Sequence, residues 1–396
     1  MGIFDRFRRS NGKETPGKPR EHLVQEAKEG LSRNANDAEA HFKLGLALMI
    51  QSKLDEAIRE YKEGLRIKPN HAEAHNSLGC AYERQGRLDD AVREYKEVLG
   101  ITPNHARAHY NLGAAYNAQG KSDEAISEYK EALRINPNYA EAHHNLGAAY
   151  MDQGKLDDAI SEFKEASRIN PNDAAEHHSL GVAYWDQGKL NEAITQYQEA
   201  LRINPNNAAV HNNLGLVYYA QVKVEEAMRE YKEALRINPN YAKAHYNLGI
   251  AYQDQGRLYE AMGEYKEALR IDPNYAKAHS RLGSVYASQG QLNQAIDEHR
   301  EVLRINPNYA WAHDNLGLAY GVQGKLGEAI REFKEALRIN PNHANAHFCL
   351  GQAYKGQGKV KEAIAFYQEF IRLASPQDDT YVRHAEEAIR TLRKSI

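Results

Sequence analysis

The chain has 396 residues, with 51 Lys and Arg against 54 Asp and Glu and a formal charge of −3 with histidine neutral. That balance leaves neither a basic footprint for nucleic acid nor an acidic tail, so no nucleic-acid partner is expected. The two cysteines, Cys80 and Cys349, lie far apart; they exclude a disulfide framework and suit a reducing, cytoplasmic setting, and no run of about 18 apolar residues is present that could insert into a membrane.

Residues 1–20 carry six basic residues (Arg6, Arg8, Arg9, Lys13, Lys18, Arg20) against Asp5 and Glu14, together with Pro16, Gly17 and Pro19. They read as a disordered basic leader, with a weak membrane-surface contact through Ile3, Phe4 and Phe7 as the other reading. A charge stands where a secretory apolar stretch would be needed, and Arg6 stands where myristoylation wants Ser or Thr. Residues 21–37 follow, where Val24, Ala27 and Leu31 form a short amphipathic stripe. This is the second helix of an incomplete unit, a half-repeat that caps what comes next.

From residue 38 the chain repeats itself. Pro69, Pro103, Pro137 and so on to Pro341 stand 34 residues apart, and the packing residues keep step: Gly45 to Gly351, Leu44 to Leu350, and Ala57 to Ala363 recur at the same interval. A fixed period of this size means a repeat array rather than the two or three globules that length alone would suggest. In the unit that starts at Ala106, the apolar residues Ala108, Leu112, Ala115 and Tyr116 fall on one helical face. Gly120 can take the left-handed conformation that closes a helix. A second apolar face follows, made by Ala125, Ile126, Tyr129, Ala132, Leu133 and Ile135, and Asn136-Pro137 ends it. Each helix is about 21 Å long at roughly 14 residues. Two such helices enclose no core, so each pair borrows its interior from the next. Gly113 and Ala125 let the two backbones approach, and Tyr116 and Tyr129 fill the space to the neighbouring pair.

The pattern L-G-x-x-Y, then A-x-x-x-[YF], then P resembles the tetratricopeptide repeat, a helix-turn-helix unit with this period. The resemblance covers residues 38–377 as ten units, with histidine at the early aromatic position of each, from His41 to His347. It implies an all-α fold, a right-handed α-solenoid superhelix whose first helices line a concave groove. Residues 378–396, with Val382, Ala385, Ile389, Leu392 and Ile396 spaced by three and four, read as a C-terminal capping helix. Units in the middle depart from the pattern: Val222 replaces the turn glycine, so that the turn changes shape or the array flexes there, Val224 replaces leucine in the same unit, and in the unit before it Glu176 replaces a small alanine.

The family's groove wall falls on the second, fifth, sixth, ninth, twelfth and thirteenth positions of a unit. At the sixth, Asn111, Asn145, Asn213, Asn247 and Asn315 resemble the asparagine ladder of O-linked N-acetylglucosamine transferase, which implies amides offered to the backbone of an extended peptide. Solvated consensus residues are the plainer reading, since Lys43, Ser77, Ser179, Arg281 and Cys349 interrupt the ladder. Trp185 and Trp311 fall on the wall as candidate anchors, with Tyr219, His178 and Phe348 beside them; lateral packing against the adjacent helix is the alternative. Lys243, Lys277 and Arg281, with Asn247, resemble part of the carboxylate clamp of tetratricopeptide co-chaperones, but Asn212 and Leu216 occupy its remaining positions.

Chemistry is expected elsewhere than in this chain. The histidines recur one per unit, too far apart to share a metal, and no phosphate loop, nucleophile elbow or paired CxxC occurs. No cofactor is implied. The reading is a non-enzymatic scaffold that binds other proteins or peptides in its groove, with a substrate-recruiting subunit of an enzyme complex and a co-chaperone as the alternatives.

Overall fold

The structure is a computed structural model that describes residues 18–375 and 378–394. Among them are 22 helices and no strand. The first helix, Lys18–Arg33, starts inside the basic leader; Pro19 is tolerated in its first turn, where a missing N–H costs nothing. The rest of the leader lies outside the described residues. Helix pairs then follow at the repeat period, from Ala38–Ile50 with Leu54–Ile67 to Ala344–Gly356 with Val360–Leu373, and the chain closes on Asp379–Arg393. First helices have 13 residues and second helices 14. The fold is an all-α solenoid of helical hairpins, divided into two compact units that meet between Pro205 and Asn206.

Within a hairpin the close contact is between glycine and an aromatic ring. A Cβ on Gly113 would lie 2.8 Å from the ring of Tyr129 and 3.2 Å from the Ala125 carbonyl, and on Gly249 it would lie 2.6 Å from Tyr265. Tyr129 therefore fills its own hairpin, and it also reaches the next pair through a hydrogen bond with Asn145. Tyr116 does face its neighbour: it is half-buried, with Lys96 of the preceding pair and Lys121 of its own turn each 5.7 Å from the ring centre.

The turn glycines from Gly86 to Gly358 hold φ between +70° and +76°. Val222 keeps the same turn at φ +62°, with Lys223 N donating to the Tyr218 carbonyl at 2.9 Å just as Lys121 N donates to Tyr116. The turn keeps its shape, and its β-branched residue carries the strain.

Polar side chains stitch the pairs together. Gln85, Gln119, Gln153 and Gln187 each donate from the end of a first helix to an aspartate in the first turn of the preceding second helix, at 2.6 to 2.9 Å. The repeated histidine is a strut of the same kind. His75 Nδ1 meets Glu94 at 2.7 Å and its Nε2 meets the Pro69 carbonyl at 2.8 Å; His143, His245 and His279 repeat both contacts. Glu176 has its own partner, the neighbouring pair's His144 at 2.8 Å, which explains a buried carboxylate where alanine is usual. Among the described residues no group of three His, Cys, Asp or Glu is placed to hold a metal ion, and no helix is long and apolar enough to cross a membrane.

At the C-terminal end Ala385, Ala388, Ile389 and Leu392 are buried with Val382 half-buried beside them, while Ile396 lies outside the described residues. Phe348, read from sequence as groove wall, is buried here: its ring meets Tyr367, Phe370 and Tyr381 at 5.0 to 5.9 Å. A terminal helix covers that stretch of wall.

Candidate functional site

The asparagines of the sixth position are not free amides. Asn111 donates to Asn76 at 2.9 Å, Asn145 to the Tyr110 hydroxyl at 3.1 Å, and Asn247 to Asn212 at 2.9 Å, each reaching the fifth position of the preceding pair. Asn213 accepts from Asn212 at 3.4 Å. Asn315 differs, for it makes no hydrogen bond among the described residues. The ladder is thus first a seam between pairs, and only part of each amide's capacity faces outward.

Asn315 stands where other predicted residues come together. Lys277, Arg281, Trp311 and Asn315 line one cavity of about 370 Å³ with Tyr246, Ser280, Ser284 and Tyr309. The walls come from three successive first helices, Ala242–Asp254, Ala276–Ser288 and Ala310–Val322, because a period of 34 residues brings equivalent positions side by side. Lys277 and Arg281 are exposed and neither makes an ion pair among the described residues. Burial is the largest single influence on Arg281 and opposes its charge, but the hydrogen bond to Tyr246 together with the Coulomb attraction of Tyr246, Tyr265 and Asp254 raises its pKa overall. Trp311 is 57% exposed, its face supported by His343 at 4.6 Å between ring centres. Of the seven exposed large hydrophobics among the described residues, four (Tyr309, Trp311, Leu318, Val322) fall between residues 309 and 322, which marks this stretch as an unusually apolar surface beside two cations outside any salt bridge.

The other predicted residues lie apart from this cavity. Lys243 is exposed but does not line it. The hydroxyl of Tyr219 donates to Asp254, so that tyrosine is held within the wall. Trp185 is half-buried in the first compact unit. His178 packs 5.9 Å from Tyr197, and burial lowers its pKa.

Sequence reasoning passed over His299. Nine pairs have tyrosine or phenylalanine at this place, Tyr61 to Tyr367, and His299 alone is an imidazole. It fills the same slot over Gly283, with Cε1 2.8 Å from the position of a built Cβ. A single break in an otherwise aromatic column was the signal available.

Comparison with known proteins agrees with the hairpin geometry. The profile of the cilia and flagella-associated protein 70 C-terminal domain, a tetratricopeptide-repeat domain, matches residues 101–315, more than half of the chain. Two further tetratricopeptide repeat profiles match residues 45–86 and 322–358, and 72–105 and 344–375. The chain belongs to the tetratricopeptide repeat family. Among solved structures, this tetratricopeptide protein is 31% identical to MamA, over 42% of its own length and 97% of that chain, with a TM-score of 0.40. YrrB, described as a TPR protein with an unusual peptide-binding site, is 24% identical over 46% and 95% with a TM-score of 0.41. Yeast Tom70 is 14% identical over 95% and 93% with a TM-score of 0.45. Among curated proteins none matches.

Proposed function

We propose that this tetratricopeptide protein is a non-catalytic scaffold that binds an extended, acidic segment of another protein along the first helices of residues 242–322. The observation that carries the reading is the cavity where Lys277 and Arg281, neither in a salt bridge among the described residues although Asp254 attracts Arg281 from a distance, line the same space as exposed Trp311 and Asn315. Two cations outside any salt bridge favour carboxylates, Arg281 through the part of its planar fork that Tyr246 leaves open and Lys277 as a point charge. Trp311 offers a broad apolar face with little conformational entropy to lose. Asn315 keeps both donors and its acceptor for a peptide backbone.

The experiment is a fluorescence-anisotropy titration with acidic peptides and with the same peptides carrying Gln for Glu. The acidic set should bind and the amide set should bind at least about tenfold more weakly, with the difference shrinking as salt is raised. Lys277→Ala with Arg281→Ala should remove the discrimination while the circular dichroism melt stays in place. Equal binding of the two sets, or discrimination that survives the double variant, would sink the proposal.

A further inference from the structure

Next to the cationic cavity is a second one of about 330 Å³, and the two share Ser284 and Asn315. Its other walls are Ala287, Leu292, Leu318, Ala319 and Val322 with His299 and the turn glycine Gly290. The cavity has a cause in the sequence. In two other pairs the ring over the glycine reaches a large polar side chain at the twelfth position: Tyr95 donates to Glu83 at 2.8 Å and Tyr265 to Gln253 at 2.7 Å. In the pair that starts at Ala276 both halves of this contact are cut down at once. The ring is His299 and the twelfth residue is Ala287, so a phenol and its polar partner are missing from the same spot.

The void is not simply apolar. His299 is 1% exposed, and its Nδ1 has no hydrogen-bond partner among the described residues. An unpaired buried nitrogen loses more than a satisfied one gains, and because Nδ1 has under 1 Å² of accessible surface, a group that supplied the missing bond would be favoured once the imidazole turns that nitrogen to the cavity. Burial lowers the His299 pKa to about 4, which leaves the ring neutral near pH 7. A neutral imidazole nitrogen either donates or accepts according to its tautomer, and a hydroxyl answers either.

We infer that the cavity beside His299 is a subsite for a tyrosine side chain of the same segment that lies on Lys277 and Arg281. The ring would occupy the space between Ala287, Leu318 and Val322, and its hydroxyl would pair with His299. Exposure of Leu318 and Val322, at 41% and 75%, gives the ring an apolar mouth to enter by. The shared residues Ser284 and Asn315 make the two sites neighbours, so a tyrosine close in sequence to an acidic residue can fill both. The assignment rests on the acidic-segment reading above, and adds to it what the segment must contain.

The test uses the full chain, three acidic peptides that differ only in one Tyr, Phe or Ala, and p-cresol as the side chain alone. The tyrosine peptide should bind about tenfold more tightly than the phenylalanine one, as expected where a hydroxyl satisfies a buried polar group. In His299→Phe that preference should fall to within about twofold while charge-dependent binding remains. Phenylalanine occupies the same slot as Phe163 over Gly147 and Phe333 over Gly317, so the variant has a precedent for folding, and its melt should confirm it. By NMR, p-cresol should shift the methyls of Leu292, Leu318 and Val322 in the wild type, toluene should shift them less, and in His299→Phe the two should act alike. Acidic peptides that bind without preferring tyrosine would overturn the subsite alone, as would p-cresol leaving those methyls unmoved. If p-cresol enters but no acidic peptide binds, the acidic-segment reading is overturned and this assignment with it.

Discussion

His75 Nδ1 lies 2.7 Å from the carboxylate of Glu94, while its other ring nitrogen faces the Pro69 carbonyl at 2.8 Å. Both neighbours are acceptors, so both nitrogens are best served by carrying hydrogen, and the cation is favoured. For His75 and His143 the hydrogen bond to the paired glutamate raises the pKa against the opposing effect of burial. For His245 and His279 burial lowers it, but Glu264 and Glu298 with the proline carbonyls raise it by more. A group whose pKa is raised on folding contributes stability that is fully present below the unfolded imidazole value, about 6.5, and is lost as pH rises through the folded value. The thermal midpoint should therefore decline as pH is raised above about 6.5. With His75, His143, His245 and His279 all changed to Gln, the decline in that window should flatten; the same slope in both proteins sinks the argument.

Val222 makes the opposite kind of prediction, because its cost is in the backbone. It is 83% exposed and sits at φ +62° in a turn that eight glycines make at +70° to +76°. A left-handed conformation costs an L-residue about 1–2 kcal/mol, of which the greater unfolded-state freedom of glycine returns roughly 0.4–1 kcal/mol. Val222→Gly should stabilise the protein by about 0.5–1 kcal/mol, read as a higher urea midpoint at unchanged slope. A lower midpoint would show that the valine side chain contributes packing that its exposure conceals.

Two glycines in one hairpin should respond to alanine in opposite directions. A Cβ at Gly249 would stand 2.6 Å from the Tyr265 ring, which is itself fully buried, so Gly249→Ala should cost about 1–3 kcal/mol. At Gly263, on the exposed side of helix Leu258–Ile271, a Cβ meets nothing within 4 Å. There the gain in helix propensity, about 1 kcal/mol, should appear undiminished. Urea melts of the two variants decide it, and equal effects would mean that the glycine is not kept for the ring.

These residues also show what could be read without coordinates. A strict period and two helical faces suffice to fix hairpins, their ends and their need for neighbours, since all of that is local pattern and chain geometry. Partners across the seam are another matter. Glu176 looks like an irregularity until His144, 32 residues earlier, is found 2.8 Å away. Asn111 looks like an open amide until Asn76 takes its donor. Phe348 looks like groove wall until Tyr381 covers it. Each depends on which rotamer meets which across two helices, and a list of positions within the unit holds no such information. The convergence of Lys277, Arg281, Trp311 and Asn315 was within reach, because equal positions in successive units stack by the repeat itself.

Asn247 and Asn315 occupy the same position in their units and should separate structure from binding. Asn247 donates to Asn212, which is 3% exposed and would lose its donor in Asn247→Ala. A buried acceptor left unmet costs about 1–3 kcal/mol, so that variant should melt lower whatever it does to a ligand. Asn315 makes no such bond among the described residues and lines both cavities. Asn315→Ala should leave the melt in place and weaken acidic-peptide binding about threefold to tenfold, the range for one lost hydrogen bond. Melts by circular dichroism and peptide anisotropy on the two variants give a two-by-two outcome. If Asn315→Ala melts low with unchanged binding, the sixth position serves the seam everywhere and the binding surface has to be sought on other residues.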